Sequence, residues 1–399
     1  MMSTLFFPDT AERPLAGKVC WLFCTVIDNF GDIGVCWRLA QMLRTEQDCR
    51  VYLWLDDAAS LAALSPGLPT LPCSHQGIEI RLWEEGKTAD LDGAPPPDLL
   101  LETFACTLPD SVLTLVRHRR PLWINWEYLS AENWAEAMHG KPSLQADGCE
   151  KYFWLMGFSE HSGGLLRERD FANRLTHAEA FGKRLLRDMP SATASETVQS
   201  WLLFGYESGI WADWLSMWQA AGRPIRLLLA GGKIIGSLKK SGVLPHEALL
   251  ADGCVWKCGC VELLRLPFVA QDDFDRLLAC ADGLIVRGED SFVRAQFSGK
   301  PFLWHIYPQE ESVHLEKLAA FWQKTETCFP KEIFTAQQAL SDELNGRTKL
   351  MPSARLAAWQ TLQNRFTDWQ EAAQKWRQYL SLQESAVEKL AKFCIGKLK

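Results

Sequence analysis

Apolar residues in the first half of the chain gather in short runs rather than alternating with polar ones. Val19–Ile27 is a run of strand length, and Arg50–Leu55 is the next. Asp98–Leu101 and Leu122–Asn125 read as further strands. Runs of this kind mark strands covered on both faces, the situation in a parallel sheet. Between the first two, Val35, Leu39, Met42 and Leu43 recur at three- and four-residue steps, which predicts a helix opening at Val35. A helical segment around Ser111–Arg119 and an extended Ala94-Pro95-Pro96-Pro97 connector complete the unit. The β-loop-α-β order predicts an α/β fold with helices on both faces of the sheet.

A second unit of the same kind starts near Trp201. Strands are predicted at Trp201–Tyr206, Pro224–Ala230, Val261–Leu266, Gly283–Val286 and Pro301–His305. Helices are predicted at Ile210–Ala221, Asp273–Ala281, Ser291–Phe297 and Glu311–Gln323, and the tail from Ser353 to Leu398 reads as helical throughout. The division expected is 16–190, then 191–370, then a helix over 371–399 that packs back on the first unit. Residues before about Leu15 read as a loose leader. Facing parallel sheets bring the loops after their strands together, and ligands of such sheets bind there.

At 399 residues the chain exceeds what one core usually supports. A net charge of -7 with no Lys/Arg run argues against direct nucleic-acid binding. No run approaches the ~20 apolar residues of a membrane span, and the start shows no secretory pattern. The thirteen cysteines lack a repeating spacing, so reduced thiols and a cytoplasmic location are expected. Trp is overused at 18 residues, many at helical spacing, as in Trp211, Trp214 and Trp218, which suits core packing.

Three loops carry candidate chemistry. Asp28-Asn29-Phe30-Gly31-Asp32-Ile33-Gly34 follows a strand and opens a helix, but has neither the dinucleotide-binding glycine spacing nor a P-loop Lys. Helix capping accounts for one of its two carboxylates but not readily for both, leaving a general base or a cation ligand open. Arg287-Gly288-Glu289-Asp290-Ser291 ends a strand and begins a helix, where free N–H groups and a guanidinium suit a phosphate. At least one of its two carboxylates should then face hydroxyls or an acceptor instead. Pro267-Phe268-Val269-Ala270-Gln271-Asp272-Asp273-Phe274 offers two aromatic rings, backbone groups and an amide to a nucleobase, with Asp272 and Asp273 read as a helix cap. The end of the Phe204-Gly205-Tyr206-Glu207 strand is a weaker candidate. Cys254, Cys258 and Cys260 do not have zinc-knuckle spacing, and His305 and His314 read as structural.

The strings Asp28–Arg38, Trp126–Glu132, Arg287–Gln296 and His305–Glu311 resemble the bacterial EarP family, which rhamnosylates an arginine of translation elongation factor P. The resemblance runs from about residue 18 to 395. It implies a GT-B architecture, two Rossmann-like domains facing across a cleft. It also implies inverting transfer of L-rhamnose from dTDP-β-L-rhamnose to elongation factor P, without a metal or other cofactor. By the same resemblance Asp32 is the proton acceptor, Glu289 a second residue essential for activity, and Asp28 lies near the sugar or acceptor. Thymine falls between Phe268 and Phe274 and is read by Val269, Ala270 and Gln271. Asn29, Phe30 and Gly31 join the donor site, and Tyr206, Arg287, Gly288, Asp290 and Ser291 surround the diphosphate. The other readings the residues leave open are a transferase with a different donor or acceptor and a non-catalytic nucleotide-sugar-binding module.

Overall fold

The computed structural model describes residues 13–27, 30–187 and 198–398. Most of the expected leader, the 190/191 boundary, Asp28 and Asn29 lie outside these residues. Among the described residues the chain forms two sheets.

The first contains β1 (Val19–Cys24), β2 (Arg50–Leu55), β3 (Cys73–His75), β4 (Ile78–Glu84), β5 (Thr88–Ala89), β6 (Leu99–Thr103), β7 (Leu122–Glu127), β8 (Pro142–Leu144) and β9 (Glu150–Leu155). Their order is β3-β4-β2-β1-β6-β7-β9-β8, with β5 beside β4. The second contains β10 (Gln199–Leu203), β11 (Ile225–Leu229), β12 (Val255–Cys258), β13 (Val261–Arg265), β14 (Gly283–Arg287) and β15 (Phe302–His305), in the order β12-β13-β11-β10-β14-β15. The central pairs are parallel: Cys20 lies opposite Val51 and Leu99, and Leu202 pairs with Leu228 and Leu284. β1 is buried along its whole length, as an unbroken apolar run requires, and β6 is buried too, its closing Glu102 and Thr103 included. Antiparallel β3, β5, β8 and β12 edge the sheets; they are short and partly polar, and the apolar pattern does not announce them.

Tryptophan fills both cores. Twelve of the 18 are almost fully buried, so the core-packing reading holds for most of them. Trp201 meets Trp359 and Trp369 in the second unit, while Trp21 and Trp54 pack against each other in the first.

Three helical expectations are corrected. The first helix spans Phe30–Gln47 and starts five residues before Val35, because the two glycines and Asp32 continue the helix instead of forming a loop. Asp272 and Asp273 lie inside the first turn of Gln271–Cys280, whose N-cap is Ala270; they pair with Arg174 and Arg276 rather than capping. The tail is three helices, Pro352–Asn364, Phe366–Ser381 and Ala386–Ile395. The last opens with a Ser385–Glu388 capping box and buries Leu390 and Cys394 in the core that includes Cys20. Phe393 meets Tyr152 and Trp154 edge-on.

Candidate active site between the two units

Every candidate loop comes after a strand at the same end of its sheet, and the two ends face each other. From the first unit come the residues after β1 and the 128–132 loop after β7. From the second come the loops after β10, β11, β13, β14 and β15. The interface is tight at Gly34. A Cβ there would sit in van der Waals contact, 3.4 Å from the Gln271 amide nitrogen and 3.8 Å from an Asp290 oxygen, which leaves little room for a larger side chain.

Two cavities meet at this interface. The larger, ≈ 240 Å³, lies mostly on the second unit and is closed on the other side by Phe30 and Gly31. Phe268 and Phe274 both line it, together with Val269 and Gln271. Phe268 is 57% exposed and reaches to 5.3 Å from the Phe30 ring, whereas Phe274 is half-buried and meets Phe204 edge-on at 5.6 Å. Ala270 is the helix cap behind this wall. Gln271 donates through Nε2 to the Gly34 carbonyl at 2.8 Å and to Asp290 at 3.1 Å. That leaves its buried Oε1 without a hydrogen-bond partner among the described residues.

Arg287, Gly288 and Ser291 supply the polar end of the cavity. Gly288 holds φ +69°, a left-handed turn that takes the chain from strand to helix. The Arg287 guanidinium packs over Phe204 at 4.5 Å and over Tyr206 at 4.9 Å. Tyr206 therefore supports Arg287 from behind; it lines neither cavity. His305 accepts the Tyr206 N–H on Nδ1, and burial, with Arg287 nearby, pushes its pKa down to about 3, which keeps it neutral and structural. Gly231, Gly232 and Lys233 also line this end, with Lys233 opening the helix Lys233–Lys240. Sequence reading missed them, although a strand running into Gly-Gly-Lys at a helix start is a recognisable anion site.

The smaller cavity, ≈ 220 Å³, adjoins the first through Gly31, Gly288 and Glu289. Asp32 and Glu289, from opposite units, both line it. Asp32 accepts the Ile27 N–H at 2.8 Å and the Tyr128 hydroxyl at 3.3 Å. Glu289 accepts the Leu129 N–H at 2.9 Å and is ion-paired to Lys317 at 2.7 Å. Burial, and less strongly the charge of Asp32, raise the Glu289 pKa, while Lys317 and the Leu129 N–H pull it back. Four aromatic residues share the remaining wall with Ile27, Val35, Ile306 and Gln309: Phe104 stacks on Tyr128 at 4.2 Å, and Trp304 and Tyr307 join them.

Asp290 is different. Its two oxygens accept from Arg38 Nε at 2.8 Å and Nη2 at 3.1 Å, a fork that crosses between the units. Burial would raise this carboxyl, but Arg38, helped by Arg294 and Gln271, more than reverses that and holds it below the usual range. Arg38 also bonds Glu168, and Arg294 bonds Glu168 at 2.7 Å and Asp275 at 2.6 Å. Among the described residues no group of His, Cys, Asp or Glu is arranged to hold a metal ion, and all thirteen cysteines are free. No described helix is long and apolar enough to cross a membrane.

Comparison with known proteins agrees with this geometry. Residues 20–395 match the family described as Elongation-Factor P (EF-P) rhamnosyltransferase EarP. A protein-arginine rhamnosyltransferase of Neisseria meningitidis serogroup B is 54% identical over 376 residues, 94% of this chain and 96% of the relative. A structure concerning EarP-mediated arginine glycosylation of translation elongation factor EF-P superposes with a TM-score of 0.64 at 27% identity, covering 96% of this chain and all of that one. MurG of Acinetobacter baumannii superposes with a TM-score of 0.52 at 13% identity over 94% of this chain and 98% of its own, a likeness of fold alone. The architecture is GT-B.

Proposed function

As the chain belongs to the EarP family of protein-arginine rhamnosyltransferases, we propose that it moves L-rhamnose from dTDP-β-L-rhamnose to an arginine of translation elongation factor P, with inversion. The observation that carries this reading is the pair Asp32 and Glu289, brought from opposite units onto one cavity that opens into a nucleotide-sized one. In this reading thymine lies against Phe268 and Phe274. The diphosphate meets Arg287, Lys233 and the N–H groups at the start of the Asp290–Ser298 helix. The aromatic-walled cavity takes the flat guanidinium of the acceptor.

A guanidinium is a poor nucleophile because its lone pairs are delocalised and its pKa is above ~12. Asp32 accepts one N–H proton as that nitrogen bonds to the sugar C1. The C1–O bond to dTDP breaks with its electron pair, and the proton stays on the carboxylate. Glu289 orients the rest of the guanidinium. The charge growing on the diphosphate is met by Arg287 and Lys233, so no metal is invoked. A reduced, cytoplasmic setting fits thiols that form no disulfides.

The test is incubation with dTDP-rhamnose and elongation factor P, followed by mass measurement of the factor, with and without EDTA. The expected result is a gain of one deoxyhexose on arginine in both arms. A gain only with another sugar nucleotide or another protein would replace the donor or acceptor. Binding of dTDP-rhamnose without transfer to any acceptor would indicate a binding module. Loss of transfer in EDTA, restored by Mg²⁺, would overturn the metal-free reading.

A further inference from the structure

Lys317 sits on the helix Val313–Thr325, between the end of the chemistry-bearing loops and the tail. Its side chain is 13% exposed, its ammonium bonds Glu289 Oε1 at 2.7 Å, and it lies 5.8 Å from the centre of the Tyr128 ring. Both Lys317 and Tyr128 line the smaller cavity with the two carboxylates. The Tyr128 hydroxyl in turn donates to Asp32, and the next residue, Leu129, donates its N–H to the other Glu289 oxygen. The two carboxylates are thus joined by one short path: Lys317, Glu289, residues 128–129 of the loop after β7, Asp32.

We propose that Lys317 is the positioning residue of this site, holding Glu289 charged and fixed so that the pair presents two ionised, differently oriented carboxylates to the acceptor. The inference rests on the transfer reading above. Two like charges sharing a half-buried cavity repel, and such pairs relieve the strain by taking up a proton. A protonated Glu289 would offer a hydroxyl donor to a guanidinium that has only donors itself. It would keep one acceptor oxygen but lose the second and the charge, and so orient the acceptor less well. The groups facing Glu289 are Lys317 from one helix, Asp32 from another, and Tyr128 with the Leu129 N–H from the loop after β7. Lys317 is the one cation among these groups. Among the described residues that line the cavity, two carboxylates and this one ammonium leave a single negative charge. That attracts a guanidinium without clamping it in its unreactive, fully protonated form.

Activity needs Glu289 ionised, so it falls on the acid side. Removing Lys317 takes away the group that draws the Glu289 pKa down, and the acid limb should move to higher pH. The experiment is the pH profile of kcat/KM for the protein acceptor in wild type, Lys317→Met and Lys317→Arg. Folding is checked by thermal melting and by dTDP affinity, since the nucleotide cavity does not include Lys317.

We expect the acid limb of Lys317→Met to shift up by about one pH unit or more. Its activity should be cut about tenfold or more on the acid limb and recover towards wild type at high pH. Lys317→Arg should keep the limb within a few tenths of wild type. A uniform loss at every pH, with the limb in place, would make Lys317 merely structural and overturn the proposal. So would an unchanged Lys317→Met enzyme. Should Lys317→Met fail to fold, the double variant Lys317→Met/Glu289→Gln removes both partners and their mutual dependence. It should then fold and show no limb shift beyond that of Glu289→Gln; a further shift of the limb would overturn the proposal. Wild type unable to transfer rhamnose would instead mean that the underlying reading had failed.

Discussion

Glu289 and Asp290 are adjacent in sequence and have similar chemistry, yet they serve two regions built on opposite principles. Asp290 touches the larger cavity but belongs to a buried ionic cluster in which Arg38 and Arg294 face Glu168, Asp275 and Asp290, and forked geometry satisfies both guanidiniums. Glu289 belongs to a cavity wall that it shares with Asp32, and there its cationic partner is the Lys317 ammonium. The cluster drives Glu168 and Asp290 below the ordinary carboxyl range. The cavity pushes Glu289 above it. A helix start turns one side chain each way, so a single residue step separates a clamp between the units from a group left with charge to spend on a substrate. Perturbed carboxyls of both kinds are therefore informative only with their partners named.

The contrast can be broken first at the cavity. Asp32→Asn keeps size and hydrogen-bonding atoms but cannot take a proton. Single-turnover rates should fall on the order of 10²–10⁴-fold while dTDP-rhamnose affinity by calorimetry stays within a few-fold. Near-normal turnover would place the base elsewhere, with Asp28 the next candidate.

At the cluster the expected effect is on folding rather than on the chemical step. Arg38→Met leaves buried carboxylates without their guanidinium and should cost about 3–5 kcal/mol in urea unfolding. The pH dependence has a sign. Glu168 and Asp290 have depressed folded pKa values, so their stabilisation is present above the ordinary carboxyl range and is lost as pH falls through the folded values. Acidification below about pH 4 should therefore cost wild type more than it costs Arg38→Met. Equal slopes would show that the cluster is not the acid-sensitive element.

A third buried carboxyl sharpens the comparison by being neither. Glu46 accepts the Arg169 N–H at 3.0 Å, but the nearest guanidinium stands 3.8 Å from its other oxygen. Burial raises its pKa to about 7. A raised carboxyl costs stability as pH climbs from its unfolded value, near ~4.3, through the folded one. Glu46→Gln should thus gain on wild type between about pH 5 and pH 8, by roughly 1–3 kcal/mol at the upper end. A constant difference across that range would contradict the assignment.

Much of this was legible in the chain. Arg50–Leu55 and Ile210–Ala221 have the bounds expected of them, because an apolar run between polar ends and a helix stopped by Gly222 leave little choice. Part of the cavity lining was legible for a related reason, since it comes directly after a buried strand, although Gly231, Gly232 and Lys233 do so too and were missed. Partnership stayed hidden. Nothing in local spacing tells Arg38 that its carboxylate lies 252 residues away, nor Lys317 that Glu289 will turn towards it. Gly31 and Gly34 read as a loop because glycine is a poor helix residue; the second unit's close approach at Gly34 is a tertiary reason. The break at Arg365 carries no glycine or proline, so the tail reads as continuous. The helix Lys331–Leu344 went unread, although its apolar face is regular.

The helix Ala386–Ile395 has a consequence for how the protein comes into being. It fills part of the core beneath β1, a strand made more than three hundred residues earlier. At ribosomal speeds of ~5–20 residues per second, that strand waits for its last neighbour for tens of seconds. During that wait the first sheet carries an unfilled apolar face around Cys20 and Trp154, while the second sheet, made in the interval, already has its own tryptophan core. The half translated first is thus the half completed last, and a ribosome stalled before residue 386 would display a nascent chain with that face still open to a chaperone.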